Sequence, residues 1–285
     1  MSKLTPDRRV DRPRVTAFIK PYLTNSQAAL VETDQGDFVI KAMNNRDGPN
    51  VLVAEWIATN AAAWLGVPVS PCAIVELSAV VDVRLDADGR KLAQPGPCFG
   101  SSFLRLSQGW DGDAETLKKV KNPEAIVGVV VADTWLRNLD RFCHAEDGTR
   151  RFENSGNLLL SSVDAPKGRF RLVAIDFGHA FGGPTTPFRR LREIGIVQDN
   201  TIYGCFPAFR HYMKRRALAT FLGRLSRFTR GDAADWFKAI PSEWSLPAAD
   251  ADAIMDFMER RARFVVETLA KMICDDDGLW SEDPE

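Results

Sequence analysis

Three short segments follow one another in the middle of the chain, and their order restricts the fold more than any other feature of the sequence. They are NLDRF at 138–142, GNLLL at 156–160 and IDFGHAF at 175–181. The first follows a strongly apolar helical stretch. The other two place Asn157 at the start and Asp176 at the end of short apolar runs that are typical of buried strands. This order predicts a helix, a loop and two strands that display Asp140, Asn157 and Asp176.

These three residue types suit phosphoryl transfer if they lie close together. A carboxylate at the start of a loop, Asp140, can accept a proton from an attacking hydroxyl or orient that hydroxyl. The amide oxygen of Asn157 and the carboxylate of Asp176 can hold Mg²⁺, which binds few carboxylates besides substrate phosphates. Taken alone, each residue also fits an ordinary role as an ion-pair partner, a turn residue or a strand end. Their joint order favours Asp140 as the catalytic residue and the other two as metal ligands.

A second pair of charged residues lies earlier in the chain. Lys41 ends the apolar run DFVIK, and Glu55 lies near the start of a predicted helix. In kinase folds, a strand lysine contacts the ATP phosphates and a helix glutamate holds that lysine in place. Alone, the two residues would be taken for a solvated strand-end lysine and a helix-surface acid. The downstream segments favour a phosphate clamp.

The spacing of apolar residues divides the chain into a β-rich part and an α-rich part. Strands are predicted within 15–43, around a hairpin turn at 34–36, and at 72–77, 79–85, 98–106, 157–163 and 170–176. Helices are predicted at 51–65, after Asn122 as N-cap, and from residue 207 onward. We therefore predict an α+β fold with an N-terminal lobe at 1–106 and a C-terminal lobe at 107–285.

The composition indicates a compartment but no special partner. The formal net charge is −1, so no overall basic surface is available for nucleic acid or an anionic membrane. Five scattered cysteines without a CxxC pair favour a reducing compartment over disulfides or a zinc site. No signal peptide or membrane-spanning apolar run is evident. We expect a cytoplasmic protein with no membrane span and no direct nucleic-acid partner.

The same segments resemble those of the HipA-like kinases, particularly the stand-alone HipA-like domain proteins, which are distantly similar to phosphatidylinositol 3- and 4-kinases. The resemblance runs from about residue 15 to residue 270. It rests on FVIK, AEWIATNAAAWLGVPVSP, FGSSF, the loop of Asp140, IDFGHAF, IPSEW at 240–244 and DFMERRARF at 256–264. It implies a two-lobed protein-kinase-like fold with a β-rich N-lobe and an α-rich C-lobe.

The resemblance also implies ATP and Mg²⁺ as cofactors and a role for each residue. These are a catalytic or orienting carboxylate (Asp140), two Mg²⁺ ligands (Asn157 and Asp176), a phosphate clamp (Lys41 with Glu55) and an adenine edge (Ser102, Phe103 and Leu104). The family's known substrates are protein Ser/Thr residues, and one branch consists of toxins. A protein substrate and an antitoxin or regulatory partner are therefore further expectations.

The catalytic loop departs from the family's pattern in two ways. Phe142 stands where related kinases often carry a histidine, and His144 is an alternative imidazole two residues later. The loop between Asp140 and Asn157 is also longer than in compact kinases. The inserted segment makes Asn154 a rival of Asn157 for the metal.

The phosphate-binding loop is poorly defined by the sequence. No G-x-G-x-x-G motif occurs, and Thr24 and Ser26 are weak candidates for contacting phosphates. His179 within IDFGHAF suits either a role near the phosphates or a structural hydrogen bond.

Three functional classes remain open at this point. The first is a Ser/Thr protein kinase, the second a kinase-fold enzyme for a small molecule or a lipid headgroup, and the third a nucleotide-binding pseudokinase or antitoxin-type scaffold. All residues needed for chemistry are present, which disfavours the third class. The segment 188–197 offers only a thin basic and apolar surface for lipid, so a protein substrate is favoured. Its Arg189, Arg190 and Arg192 can receive an acidic substrate or form a solvated face.

Overall fold

The structure is a computed structural model that describes residues 12–22, 26–144 and 151–275, with the backbone alone for His144, Arg151, Phe152 and Asp275. The chain divides into two units. The first comprises the described residues of Met1–Arg46 and Pro71–Phe103, and the second those of Asp47–Ser70 and Leu104–Glu285. The lobe boundaries at residues 106 and 107 stay a prediction.

An antiparallel sheet of five strands forms the first unit. Its strands are β1 (Val15–Pro21), β2 (Ala29–Thr33), β3 (Gly36–Lys41), β4 (Cys72–Leu77) and β5 (Gly96–Ser102), in the order β1-β2-β3-β5-β4. Gly36 closes the predicted hairpin turn with a φ of 114°, which L side chains rarely adopt. Val31, Ile40 and Val75 lie in the hydrophobic core. The alternation in the sequence therefore sets which face of the sheet is buried.

The prediction of a strand at 79–85 is wrong. This stretch forms turns and makes one isolated bridge, from Arg84 to Leu92. Val83 and Leu85 are nevertheless buried in the core of the first unit. The alternation of apolar residues thus reflects a loop that packs on the sheet, not a strand that pairs with it.

Helices and a small sheet form the second unit. The helices are α1 (Asn50–Leu65), α2 (Ala114–Leu117), α3 (Glu124–Leu136), α4 (Ile194–Val197), α5 (Arg215–Leu225), α6 (Arg230–Ala239) and α7 (Ala248–Asp275). Helix α3 is buried along nearly its whole length and contacts α1, α5 and α7, which explains its continuous apolar run. Within the described ranges, no helix combines the length and apolarity needed to cross a membrane. The α+β fold class is confirmed.

Asn122 does not cap helix α3 as predicted. Pro123 occupies the N-cap position. The amide nitrogen of Asn122 donates to the carbonyl oxygen of Leu172 at 3.0 Å, and its Oδ1 accepts from the Leu172 N–H at 2.9 Å. A strand backbone thus takes both hydrogen-bonding groups of the side chain, and this fixes the start of α3 against the small sheet.

The small sheet contains β6 (Ser107–Gly109), β9 (Leu158–Ser161) and β10 (Arg171–Ala174), in the order β10-β9-β6. A separate pair consists of β7 (Phe142–His144) and β8 (Arg151–Glu153). Strands β9 and β10 are antiparallel, with Leu158 opposite Ala174. The start of β9 and the end of β10 therefore lie at the same end of the sheet, where Asn157 immediately precedes β9 and Asp176 follows Ile175 after the end of β10.

Candidate active site

The catalytic loop begins where helix α3 ends. Arg137, the C-cap residue, has a left-handed φ of 51° and turns the chain into the loop that carries Asp140. The Asp140 Oδ2 accepts hydrogen bonds from two amide nitrogens, Nδ2 of Asn157 at 2.9 Å and Nδ2 of Asn154 at 3.1 Å. The structure therefore brings Asp140 together with both asparagines that the sequence offers. This contact alone does not show which of the two asparagines would bind the metal.

A backbone contact distinguishes Asn157 from its rival. The carbonyl oxygen of Asn157 accepts a hydrogen bond from the Ile175 N–H at 3.0 Å, which extends the β9–β10 pairing by one residue. Asn157 thus lies opposite the residue that precedes Asp176. Asn154 lies before β9, and its N–H donates to the Arg141 carbonyl at 2.8 Å.

The side chains at this end of the sheet fit a magnesium ion. Because the Asn157 side-chain nitrogen donates to Asp140, its Oδ1 is the amide atom available to a cation, and Asp176 would supply carboxylate oxygens. Among the described residues, no group of three His, Cys, Asp or Glu side chains could hold a metal. A site with one amide and one or two carboxylates suits Mg²⁺, which completes its octahedron with phosphate oxygens and water.

Asp176 has a backbone conformation that is unusual for its residue type. Its φ is +56°, in the left-handed region that costs a non-glycine residue about 1–2 kcal/mol. The next residue is held in place, because the Phe177 N–H donates to Oε1 of Glu55 at 2.8 Å. Strain of this kind is often retained at functional sites. Glu55 is 2% exposed, so this acceptor is a buried anchor for the Asp176 loop.

Arg141 is a site residue to which the sequence analysis assigned no role. Its side chain is fully buried, and its Nε donates to Oδ2 of Asp133 at 2.6 Å. Its two terminal nitrogens donate to the carbonyl oxygens of Asn157 and of Ile175, the latter at 3.2 Å. The guanidinium also lies 4.9 Å from the centre of the Phe177 ring. One side chain thus joins the catalytic loop, β9 and the Asp176 segment.

Asp133 is the counterion that keeps Arg141 in place. It is fully buried in α3, and its Oδ1 accepts a hydrogen bond from the Asn138 amide nitrogen at 3.0 Å. Burial raises the pKa of the Asp133 carboxyl, whereas the Arg141 guanidinium and the Asn138 amide oppose that rise. The signal in the sequence was a single acid inside the otherwise apolar run AIVGVVVADTWL. Such an acid needs a buried partner.

The five-stranded sheet carries Lys41 and Ser102, two of the residues that are predicted to bind nucleotide. Lys41 ends β3 opposite Phe99 and is 5% exposed. Ser102 ends β5, and the Phe103 N–H donates to the Asp37 carbonyl at 2.8 Å. Leu104 is half-buried and belongs to the second unit. The phosphate clamp of Lys41 with Glu55 and the adenine edge stay predictions.

Some candidate residues fall partly or wholly outside the described chain. Thr24 lies outside the described residues, as does the side chain of His144. Ser26 is described and lies in a turn. The carbonyl oxygen of His179 accepts a hydrogen bond from the Leu139 N–H at 3.2 Å, so its backbone supports the catalytic loop. Burial, followed by the nearby Asp140 carboxylate, raises the pKa of Cys143 to about 11, so this thiol is not an activated nucleophile.

An apolar surface adjoins Asn157 and Asp176. Leu159 and Val173 pair across β9 and β10 and are half-buried, whereas their neighbours in each strand are buried. Successive residues of a strand alternate between faces, so these two side chains share the outer face of the small sheet. No feature of the sequence sets these two residues apart, because GNLLL and FRLVAID have the pattern of wholly buried strands.

The arginines of 189–192 are largely neutralised by neighbouring acids. Arg190 forms two hydrogen bonds with Glu193, at 2.8 and 3.0 Å, and Arg192 pairs with Asp252 at 2.5 Å. Phe188 and Leu191 of the same segment are buried. The segment therefore packs onto the protein, and two of its three cations already have anionic partners.

Comparison with solved structures identifies the fold. The chain is similar to the crystal structure of the Helicobacter pylori proinflammatory kinase CtkA, with a TM-score of 0.54 and 12% sequence identity. The match covers 92% of this chain and 98% of that chain. At this level of identity the likeness shows the fold alone, which is that of a kinase.

Comparison with protein families gives the particular family. A family model described as HipA-like kinase matches residues 20–283. The chain belongs to the HipA-like kinase family, and the resemblance noted in the sequence is confirmed. Membership and fold together support a kinase-type phosphotransferase. Among curated proteins, no match was found.

Proposed function

We propose that the protein is an ATP- and Mg²⁺-dependent kinase that phosphorylates Ser or Thr residues of a protein substrate. The observation that carries this proposal is the contact of Asp140 with Asn157, whose backbone in turn pairs with the residue preceding Asp176. Asp140, Asn157 and Asp176 thus lie at one end of the small sheet, which supports assigning the first to the substrate hydroxyl and the other two to the metal.

Each residue then has a defined task. Asp140 orients the substrate hydroxyl and accepts its proton, while the amides of Asn154 and Asn157 hold its Oδ2 in place. Asn157 Oδ1 and Asp176 would hold Mg²⁺, which when bound offsets negative charge on the phosphates. Arg141 keeps these elements at a fixed spacing through its contacts with two backbone carbonyls.

We assign the α- and β-phosphates of the nucleotide to Lys41, supported by Glu55, and the adenine edge to Ser102, Phe103 and Leu104. The half-buried Leu159 and Val173 form an apolar face beside the metal ligands that suits the flat surface of a base. Toxin-like activity and an antitoxin or regulatory partner are parts of this proposal that rest on the family resemblance, and a cytoplasmic location is a part that rests on the scattered cysteines.

A protein substrate is favoured over a lipid headgroup by the charges of 188–197. A membrane-facing loop needs free cations, whereas Arg190 and Arg192 pair with acids. The joint placement of the three chemical residues disfavours a pseudokinase.

Stabilisation by Mg·ATP tests the nucleotide and metal assignments. At about 100 times its Kd, a ligand of the native state adds about 2.7 kcal/mol to the free energy of unfolding. For a chain of this size we expect the melting temperature to rise by roughly 5 °C, and the part of the rise that depends on Mg²⁺ to vanish with EDTA. Asp176→Ala and Asn157→Ala should lose that part.

Asn154→Ala is the matched control, because Asn154 also donates to Asp140 but is not assigned to the metal. We expect it to keep the Mg²⁺-dependent rise. If Asn154→Ala lost the Mg²⁺-dependent rise in melting temperature and Asn157→Ala kept it, the metal ligand would be Asn154. If Mg·ATP did not raise the melting temperature of the wild type, the assignment of both ATP and Mg²⁺ as cofactors would be contradicted.

A further inference from the structure

Five exposed cations lie together on two paired segments of the second unit. The Lys121 N–H donates to the Phe170 carbonyl at 2.8 Å, and the Phe170 N–H donates to the Lys119 carbonyl at 3.0 Å. The pairing sets the segment 118–121 beside 169–171 and so gathers exposed basic side chains. We call this set the basic surface; its members are Lys119, Lys121, Lys167, Arg169 and Arg171.

The basic surface differs from the other arginine-rich surface of the unit in its ion pairing. On and around α7, Arg192 and Arg230 both pair with Asp252, and Arg263 pairs with Glu259. No member of the basic surface forms an ion pair with any other described residue. Its neighbour Lys118 does pair, with Glu115 at 2.6 Å. Lys119 is partly balanced by the nearby Asp113 carboxylate, but like charges on adjacent segments still repel one another, and an anionic partner removes that repulsion.

The position of the basic surface relates it to the proposed chemistry. Arg171 begins β10 and Asp176 follows its end, five residues later. At about 3.3 Å per residue of extended chain, the two residues lie at most roughly 16 Å apart, since β10 itself ends at Ala174. An extended peptide spans about 3.3–3.6 Å per residue, so roughly five of its residues cover the same distance.

We propose that the basic surface docks an acidic segment of the polypeptide substrate, with its carboxylates about five residues from the phosphorylated hydroxyl. The proposal rests on the proposed protein kinase function and adds the chemical class of the substrate. It also moves substrate recognition away from Arg189, Arg190 and Arg192, two of which are already neutralised.

The surroundings of the basic surface favour a polypeptide over nucleic acid or a membrane. Carboxylates of Asp113, Glu115 and Asp164 are exposed near it, and a continuous polyphosphate or lipid surface would meet them. A peptide can place a few carboxylates on the cations alone. Leu106 and Val163 are also exposed, at 78% and 45%, and the Ser162 N–H donates to the Leu106 carbonyl at 3.1 Å. Exposed aliphatic side chains beside cations suit protein docking.

Two fluorescein-labelled peptides test the proposal without requiring catalysis. Both carry alanine at the acceptor position; one has a run of glutamates centred five residues away, and the other has glutamines there. We expect the acidic peptide alone to bind, and salt to weaken it. Arg169→Glu with Arg171→Glu should weaken it by roughly tenfold or more, since each reversal replaces attraction by repulsion. Lys119→Gln with Lys121→Gln, a milder pair, should weaken it less.

The matched control is Arg84→Glu with Arg90→Glu, the same charge change at exposed sites of the first unit. We expect this double variant to bind the acidic peptide as tightly as the wild type does. The melting temperatures of all variants are compared to check that each is folded. Equal affinity of the wild type and the Arg169/Arg171 variant would overturn the proposal. So would an equal loss in the control, or tighter binding of duplex DNA or phosphatidylserine vesicles at this surface.

A serine version of the same peptides separates this proposal from the proposed function. With Mg·ATP, the acidic serine peptide should have a lower KM than the glutamine one, and the Arg169/Arg171 variant should remove the difference while leaving kcat on the glutamine peptide unchanged. Specific binding without phosphorylation would support the docking surface and contradict the protein kinase assignment. Phosphorylation of both serine peptides with no preference for the acidic one would support the protein kinase assignment and contradict the docking surface.

Discussion

Replacing Asp140 by asparagine is expected to lower the rate of phosphoryl transfer by about 10²–10⁴-fold, the usual contribution of a positioned acid–base group. An asparagine can still accept the two amide hydrogen bonds from Asn154 and Asn157, so the loop should keep its shape. It cannot accept a proton from the substrate hydroxyl. We therefore expect a fall in kcat with the Mg·ATP-induced rise in melting temperature preserved. The measurement is consumption of [γ-³²P]ATP at saturating Mg·ATP.

Asp164→Asn serves as the control for this substitution. Asp164 is exposed, and its φ of 55° is one that asparagine tolerates. Its activity should equal that of the wild type. If Asp140→Asn kept activity within about tenfold of the wild type, general-base catalysis by Asp140 would be contradicted, because that loss lies below the usual range.

Replacing Arg141 by methionine is expected to destabilise the fold by about 3–5 kcal/mol, since it leaves a buried carboxylate without its partner. Asp133 has no exposed surface and faces the Arg141 Nε at 2.6 Å. Without the guanidinium, burial alone would hold the pKa of Asp133 above its unfolded value. A raised pKa means that the native state binds the proton more tightly. The free energy of unfolding of this variant should therefore fall as pH rises through and above the unfolded pKa of the group.

The companion variant carries both Asp133→Leu and Arg141→Met. Replacing a buried ion pair by apolar side chains of similar size is often neutral, so much of the lost stability should return. Activity should stay low, because the carbonyl oxygens of Asn157 and Ile175 still lack their donor. Urea unfolding at two pH values measures both effects. A single variant that loses less than about 1 kcal/mol would contradict the role of a buried counterion.

The end of the small sheet could be predicted from the sequence because its residues are close in the chain and simple in pattern. Two consecutive short apolar runs predict a pair of antiparallel strands. A polar residue before the first strand and another after the second strand then lie at the same end of the pair. Asp140 follows the apolar run AIVGVVVADTWL, whose length favours a helix over a strand. The neighbourhood of Asp140, Asn157 and Asp176 was therefore accessible from local patterns.

Contacts between distant parts of the chain were not accessible in this way. Glu55 lies in α1, and nothing in its local pattern shows that it accepts a hydrogen bond from the Phe177 N–H. Asn122 has the residue type of an N-cap but pairs with Leu172, because a strand backbone competes for its side chain. The pairing of 118–121 with 169–171, which creates the basic surface, likewise depends on the tertiary fold.

The longer catalytic loop left Asn154 and Asn157 as rivals, and spacing alone could not separate them. Both side-chain amides contact Asp140, so proximity to this carboxylate does not decide between them. Asn157 differs from Asn154 in accepting a hydrogen bond from the Ile175 N–H at its carbonyl, which belongs to sheet register rather than to residue type, and its role as metal ligand stays a prediction. Register depends on pairing across the sheet, which sequence spacing does not specify.

Consumption of [γ-³²P]ATP by the wild type and by Asp176→Ala tests the central assignment most directly. Label transferred to protein and label released as phosphate are summed, so the assay does not depend on knowing the substrate. We predict Mg²⁺-dependent consumption by the wild type, none above background by Asp176→Ala, and a similar melting temperature for both proteins without nucleotide. Equal consumption by the two proteins, or none by the wild type, would contradict a phosphotransfer centre built on Asp140, Asn157 and Asp176.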